Sequence, residues 1–171
     1  MRLGLYVHVP FCSTRCRYCD FYRVGANGER QRAFVAALLE EIGSALPDER
    51  LADSVFLGGG TPSLLSGEEI GATLSALGRR YRFAADIEVS MEANPSDASP
   101  ERLAAWRAAG VSRLSLGVQS FNARELRLLG RRHDAAAATQ AFSAARRAGF
   151  RSISLDLMLA IPGQTEWSFH R

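Results

Sequence analysis

The sequence predicts an α/β fold in which parallel strands alternate with helices, and three observations carry that reading. Short β-rich runs alternate with stretches whose apolar residues recur at a helical period, the pattern of strands joined by crossover helices. The helical stretches open on side chains that can cap unpaired amides and close on glycine. One helix-end, glycine, strand segment occurs twice, as Arg107-Ala108-Ala109-Gly110-Val111 to Leu116 and as Arg147-Ala148-Gly149-Phe150 to Leu155. Such reuse is the mark of a βα barrel built from repeated units.

The elements follow in order. Strands are expected at residues 3–9, 54–57, 86–91, 112–118 and 152–159. Between them, Phe34, Leu38 and Ile42 recur at helical spacing, as do Ile70, Leu74 and Leu77, and then Leu103 and Trp106. Ser66 with Glu69 makes a capping box, and Asn122 with Glu125 resembles the same device. Ser99 precedes Pro100 at a first helical position, Asp134 opens an alanine-rich helix, and Thr165 starts a last one. Gly110 and Gly149 read as C-terminal caps. Met91 and Met158 fall on apolar strand positions and read as core, as does Trp106. A complete eight-unit barrel needs about 250 residues, and the chain has 171. The expectation is therefore one domain, residues 1–171, forming the N-terminal portion of a barrel truncated on its C-terminal side.

Composition narrows the function classes. With 47% hydrophobic and 23% charged residues, 15 Gly and 6 Pro, the chain is neither disordered nor fibrous. No apolar run approaches the ~20 residues of a spanning helix. The N-terminal run is interrupted by His8 and Pro10 and lacks a small-residue cleavage site, so the cytoplasm is the expected location. All 21 basic residues are Arg and the net charge is +3. They are spread along helices, and nucleic acid is not an expected partner.

All three cysteines, Cys12, Cys16 and Cys19, fall in a loop after the first strand. Three thiolates this close suit a single inorganic centre better than disulfides. Zinc, or three incidental thiols, remain open readings, because soft thiolates suit zinc and iron-sulfur centres alike. A four-iron cluster held by only three thiolates would leave one iron with an open position for a cofactor or substrate.

The C-x3-C-x2-C spacing, with Tyr18 before the last cysteine, resembles the signature of the radical S-adenosylmethionine (SAM) superfamily. Leu5 to Cys12, Gly58-Gly59-Gly60-Thr61-Pro62-Ser63, Glu92-Ala93-Asn94-Pro95, Leu116 to Phe121, and Asp156 to Thr165 resemble, in order, consecutive blocks of the oxygen-independent coproporphyrinogen III oxidase family. The resemblance implies a partial TIM-like radical SAM barrel, with a [4Fe-4S] cluster on Cys12, Cys16 and Cys19. It also implies SAM contacts at Tyr6, Gly59, Gly60, Thr61, Glu92, Gln119, Arg131 and Asp156. Glycines let backbone approach the cofactor. Carboxylates accept from ribose hydroxyls or the ammonium, and a guanidinium can hold the methionine carboxylate at two points. His8 shares a strand face with Tyr6 but is not counted among these residues.

The family's oxidases carry a further cysteine two positions after the third, where this chain has Phe21. Cys19-Asp20-Phe21 is similar to the related radical SAM haem chaperone branch. That branch implies haem as bound cargo and a respiratory haem acceptor as partner. The oxidase reading, in which porphyrinogen is oxidatively decarboxylated, is the alternative. A zinc-binding barrel fragment without catalysis is the second alternative.

Overall fold

The computed structural model describes residues 2–46 and 48–169. Its elements run β1 (Arg2–Val9), β2 (Phe11–Cys12), β3 (Val24–Gly25), α1 (Gly28–Ser44), β4 (Asp48–Gly59), α2 (Gly67–Arg80), β5 (Tyr81–Ala93), α3 (Pro100–Ala109), β6 (Arg113–Gln119), α4 (Ala123–Leu129), α5 (Ala135–Arg147), β7 (Ser152–Leu157) and α6 (Glu166–Phe169). Five strands form one parallel sheet in the order β1-β4-β5-β6-β7. The chain thus adds each strand beside the last, as a βα barrel does.

Alternation along the strands decides which chemistry faces where, because successive side chains point to opposite faces. In β6, Leu114, Leu116 and Val118 are buried while Arg113, Ser115, Gly117 and Gln119 point the other way. The parallel register propagates this. Val7 and Val9, Val55 and Leu57, and Val89, Met91 and Ala93 join the same apolar layer. Helices α1, α2, α3 and α5 cover it with Ile42, Ile70, Leu103, Trp106 and Ala145. The opposite face carries rows of paired polar or small residues, among them His8 with Gly58 and Glu92 with Ser115.

The helix boundaries follow the expected chemistry. Ser66 and Glu69 form a complete capping box, and Ser99, Asp134 and Asn122 each accept first-turn amides. Gly110 ends α3 at φ 112°, and Gly149 follows α5 at φ 92°. Asn27, a cap with no counterpart in the sequence reading, accepts the amides of Glu29 and Arg30.

Some boundaries differ. β4 and β5 begin about five residues earlier than their apolar runs, because Asp48 to Ala52 pair with Tyr81 to Phe83 across register shifts. β7 stops at Leu157, and Ala160 beyond it turns the chain at φ 59°. Met158 is consequently outside the strand and half-exposed, whereas Met91 is fully buried as expected. Glu125 is not half of a capping box: its carboxylate turns inward instead.

Trp106 is 0% exposed at the centre of the helix-facing core. Trp106→Ala leaves a cavity there and should lower the unfolding free energy by about 3–5 kcal/mol in urea denaturation.

Candidate functional site

The site is built where the strands end and the chain turns. β2 and β3 form a two-residue parallel ladder, extended by Val24 N–H donating to Pro10 O (2.8 Å) and Ala26 N–H to Cys12 O (3.0 Å). This ladder is the neck of the cysteine loop. Farther out, Arg17 N–H donates to Leu129 O at 3.1 Å, tying the loop to the end of α4.

The Gly58 to Gly60 turn runs against that neck. Gly60 N–H donates to Val9 O at 2.8 Å, and a Cβ on Gly60 would stand 2.7 Å from Phe11 O. Gly59, at φ 110°, lies over the His8 ring, which a Cβ there would also meet at 2.7 Å. Glycine is required at both positions, by close approach at one and by backbone conformation as well at the other. The neighbouring turn is locked by Ser63 Oγ donating to Asp97 at 2.7 Å and by Arg102 donating to Ser63 O.

Two adjoining cavities open at these turns. The first is lined by Cys12, Cys16 and Cys19 with Gly60, Thr61 and Arg131. The second is lined by Gly59, Gly60, Thr61, Glu92, Gln119 and Asp156, together with Phe21. Tyr18, Cys19, Gly60, Thr61 and Asn94 line both. Ten of the eleven residues singled out in the sequence therefore line this double cavity. Tyr6 stands to its side: its hydroxyl meets His8 Nδ1 at 3.1 Å and its ring stacks on Phe56 at 6.1 Å. Burial raises the Tyr6 pKa, and the nearby Glu92 carboxylate adds to the effect.

The thiols have specific neighbours. Thr61 Oγ1 donates to Cys12 Sγ and Arg131 Nη1 to Cys16 Sγ, both at 3.4 Å. Burial pushes the Cys12 thiol up, the Thr61 hydrogen bond opposes this, and the neighbouring Cys19 and Cys16 raise it further. Burial likewise pushes the Tyr18 hydroxyl up to about 12 against the pull of the Arg131 guanidinium. Among the described residues, no three His, Cys, Asp or Glu side chains are close enough to hold one metal ion. The donor set itself, three soft thiols with hydrogen-bond donors on two of them, fits an iron-sulfur centre. The glycine cradle beside it leaves room for a ligand's backbone contacts.

Arg131 Nη2 donates to Asn94 Oδ1 at 2.6 Å and to Gly117 O, so the guanidinium braces the Cys16 thiol against two strand ends. Glu92 accepts from Gly59 N–H at 3.2 Å; burial raises its pKa, Gly59 opposes that, and Asp156 adds repulsion. Asp156 in turn accepts from Ser115 Oγ at 2.7 Å. Gln119 holds φ at 70°, the left-handed region that costs a non-glycine residue about 1–3 kcal/mol.

The sequence pattern placed Glu125 in a capping role and did not point to its place at the site. It is 4% exposed and accepts from Ser120 Oγ (2.6 Å), Ser168 Oγ (2.7 Å) and Gln164 Nε2 (3.1 Å). Burial alone would raise its pKa, but these hydrogen bonds outweigh it and hold the carboxyl low. Glu125 thereby pins the turn after Gln119 to the segment following β7. The signal was present as Ser120, Gln164 and Ser168, but those residues are too far apart in sequence to be linked without the fold.

The family model for the radical SAM superfamily matches residues 6–171. The chain belongs to the radical SAM superfamily. It is 46% identical over 165 residues to a mitochondrial radical S-adenosyl methionine domain-containing protein 1 from Bos taurus, covering 95% of this chain and 37% of that protein. It is 41% identical over 166 residues to the haem chaperone HemW of Escherichia coli, covering 95% and 44%. Among solved structures, the coproporphyrinogen III oxidase HemN of E. coli, a radical SAM enzyme, superposes with a TM-score of 0.85 at 32% identity, covering 98% of this chain and 39% of that one. The chain thus spans about two fifths of the length of these relatives. No helix among the described residues is long and apolar enough to cross a membrane.

Two outcomes follow. Glu125→Ala strips a buried acceptor from three donors and should destabilise the protein by about 2–4 kcal/mol, measured by chemical denaturation. His133, buried and beside Arg131, has its pKa lowered from 6.5. The unfolded chain therefore binds that proton first, and stability falls as pH drops below about 6.5. Glu125, lowered from 4.5, extends the loss at more acid pH. Thermal melts across pH 8 to 3 should show both steps, and His133→Gln should remove the first.

Proposed function

We propose that this chain is the cluster-binding and SAM-binding part of a haem chaperone, which holds haem and hands it to a respiratory haem-accepting protein. The observation that carries this reading is Phe21. It occupies the position where the resembling oxidases have a fourth cysteine, it is 68% exposed, and it lines the second cavity. An apolar ring there adds contact area for a flat aromatic ligand and supplies no further thiol. The names of the relatives at 38–41% identity, haem chaperones from several bacteria, support it.

In this reading Cys12, Cys16 and Cys19 would hold a [4Fe-4S] cluster through their thiolates. A cluster held by these residues would supply the one electron that reductive cleavage of SAM requires. The chain's own residues do the rest. Thr61 and Arg131 donate to two of the thiolate sulfurs and fix their direction. Gly59 and Gly60 bring backbone to the methionine end, and Arg131 takes the methionine carboxylate beside its present partner Asn94. Glu92 and Asp156 accept from the ribose hydroxyls or the ammonium, while Gln119 both donates and accepts. Tyr6 closes the same face from β1. Haem is the cargo, and the cytoplasm is the place of work.

The second reading is the oxygen-independent coproporphyrinogen III oxidase, favoured by the superposition on the oxidase at a TM-score of 0.85. A zinc-holding fragment would leave the polar strand ends and the glycine cradle without a task.

The test is haem titration of the reconstituted protein beside an anaerobic coproporphyrinogen III assay with SAM and a reductant. The chaperone reading requires a saturable haem absorbance change with no protoporphyrinogen IX formed, and Phe21→Ser should weaken haem binding several-fold. Turnover of coproporphyrinogen without haem binding would establish the oxidase reading instead.

A further inference from the structure

Gln119 sits where β6 loses step with its neighbour. From Leu116 to Gln119 β6 advances three residues, while β7 advances two, from Leu155 to Leu157. The end of this bulge is where the backbone turns left-handed, at φ 70°. The Gln119 amide folds back beside Arg131: a Cβ on Gly117 would stand 3.2 Å from Gln119 Nε2 and 3.4 Å from Arg131 Nη2. Returning Gln119 to extended backbone would turn its carbonyl away from the Met158 amide, which donates to it at 2.9 Å.

Open space lies on both sides of this residue. Gln119 lines the second cavity and also a smaller one shared with Ser120, Leu157, Gln164 and Ser168. Packing alone therefore leaves it free to relax, and a ring of hydrogen bonds holds it instead. From Gln119 O the ring passes to Met158 N–H, and Gln164 Nε2 then donates to Met158 O at 3.3 Å and to Glu125 Oε2 at 3.1 Å. Ser120 Oγ donates to the same Oε2 at 2.6 Å, which returns the ring to the residue after Gln119. Outside the ring, Ser168 Oγ donates to Glu125 Oε1 at 2.7 Å. A buried carboxylate is stable only while its donors stay in place, so Glu125 keeps residues 120, 164 and 168 together.

We propose that Glu125 is a positioning residue for SAM, acting through this ring to hold Gln119 left-handed with its amide at the cavity wall. The proposal deepens the SAM-binding reading above and rests on it. Glu125 stays behind the wall, and Gln119 is the group that donates to the ligand and accepts from it.

The test is a double-mutant cycle on SAM affinity, read from the change SAM makes in the electron paramagnetic resonance signal of reconstituted protein with wild-type iron and sulfide content. Glu125→Leu and Gln164→Leu each cut the ring and should weaken SAM binding about tenfold, a size usual for coupling within one hydrogen-bond network. Glu125→Gln should bind within about twofold of wild type, because its amide oxygen still accepts from Ser120 and Gln164 while its NH2 donates to Ser168. In a Gln119→Gly background the left-handed backbone carries no strain and there is no amide to place. Adding Glu125→Leu there should cost no further affinity. Equal affinity in wild type and both ring-cut variants overturns the proposal, as does an equal loss in the Gln119→Gly background. Metal-free protein gives a second readout: Gln164→Leu should speed hydrogen exchange at the Met158 amide and leave the amides of residues 113–116 unchanged. Unchanged protection at Met158 overturns the proposal. Failure of the SAM reading is seen separately, as wild-type protein whose cluster signal SAM does not alter, and it takes the proposal with it. A wild-type response to SAM with an additive cycle overturns the proposal alone.

Discussion

The parallel register of five strands is the constraint on which the rest of the molecule depends. Because side chains alternate and parallel neighbours share a face, one choice of register sends Val9, Leu57, Met91 and Leu116 to the helices. The same choice sends His8, Gly58, Glu92 and Ser115 to the opposite side. A slip of one residue in any strand would exchange the two sets, burying carboxylates and exposing the core. Apolar packing on one face therefore fixes the chemistry of the other.

At the strand ends the same order is carried into the turns by hydrogen bonds rather than by apolar packing. Gly60 reaches back to Val9, Arg17 to Leu129, and Ser63 to Asp97. Arg131 joins three elements at once, through Cys16, Asn94 and Gly117. Glu125 does the same on the far side, and it sits one turn from the strained Gln119. A left-handed non-glycine residue persists only where its surroundings hold it, and here Met158 N–H donates to Gln119 O at 2.9 Å while Ser120 bonds Glu125. Strain and a buried charge at one edge of a cavity mark a place where position takes precedence over stability.

Much of this was legible in the sequence because its signals are local. The β-rich runs located the five strands of the sheet, Ser66 with Glu69 and Ser99 with Pro100 marked helix starts, and the three cysteines announced themselves by spacing. The N-terminal halves of β4 and β5 were not legible, since Asp48 to Ala52 and Tyr81 to Phe83 extend only by pairing with each other. The β2–β3 neck is two residues long and has no period to detect. Glu125 was misread for an instructive reason: Asn-x-x-Glu matches the local capping pattern, yet Ser120, Gln164 and Ser168 offer a deeper site. Arg131 lines the cysteine cavity, but its partners Cys16, Asn94 and Gly117 lie far away in sequence and could not be read from the Gly130-Arg131 pair.

The central proposal is that Cys12, Cys16 and Cys19, which line one cavity with Gly60, would hold a single [4Fe-4S] cluster able to take SAM. The most direct measurement is the electron paramagnetic resonance spectrum of protein reconstituted anaerobically with iron and sulfide, reduced, and recorded with and without SAM. The account predicts a four-iron signal that SAM perturbs and that Cys16→Ala abolishes. Stoichiometric zinc with no iron signal, or a cluster signal indifferent to SAM, would contradict it.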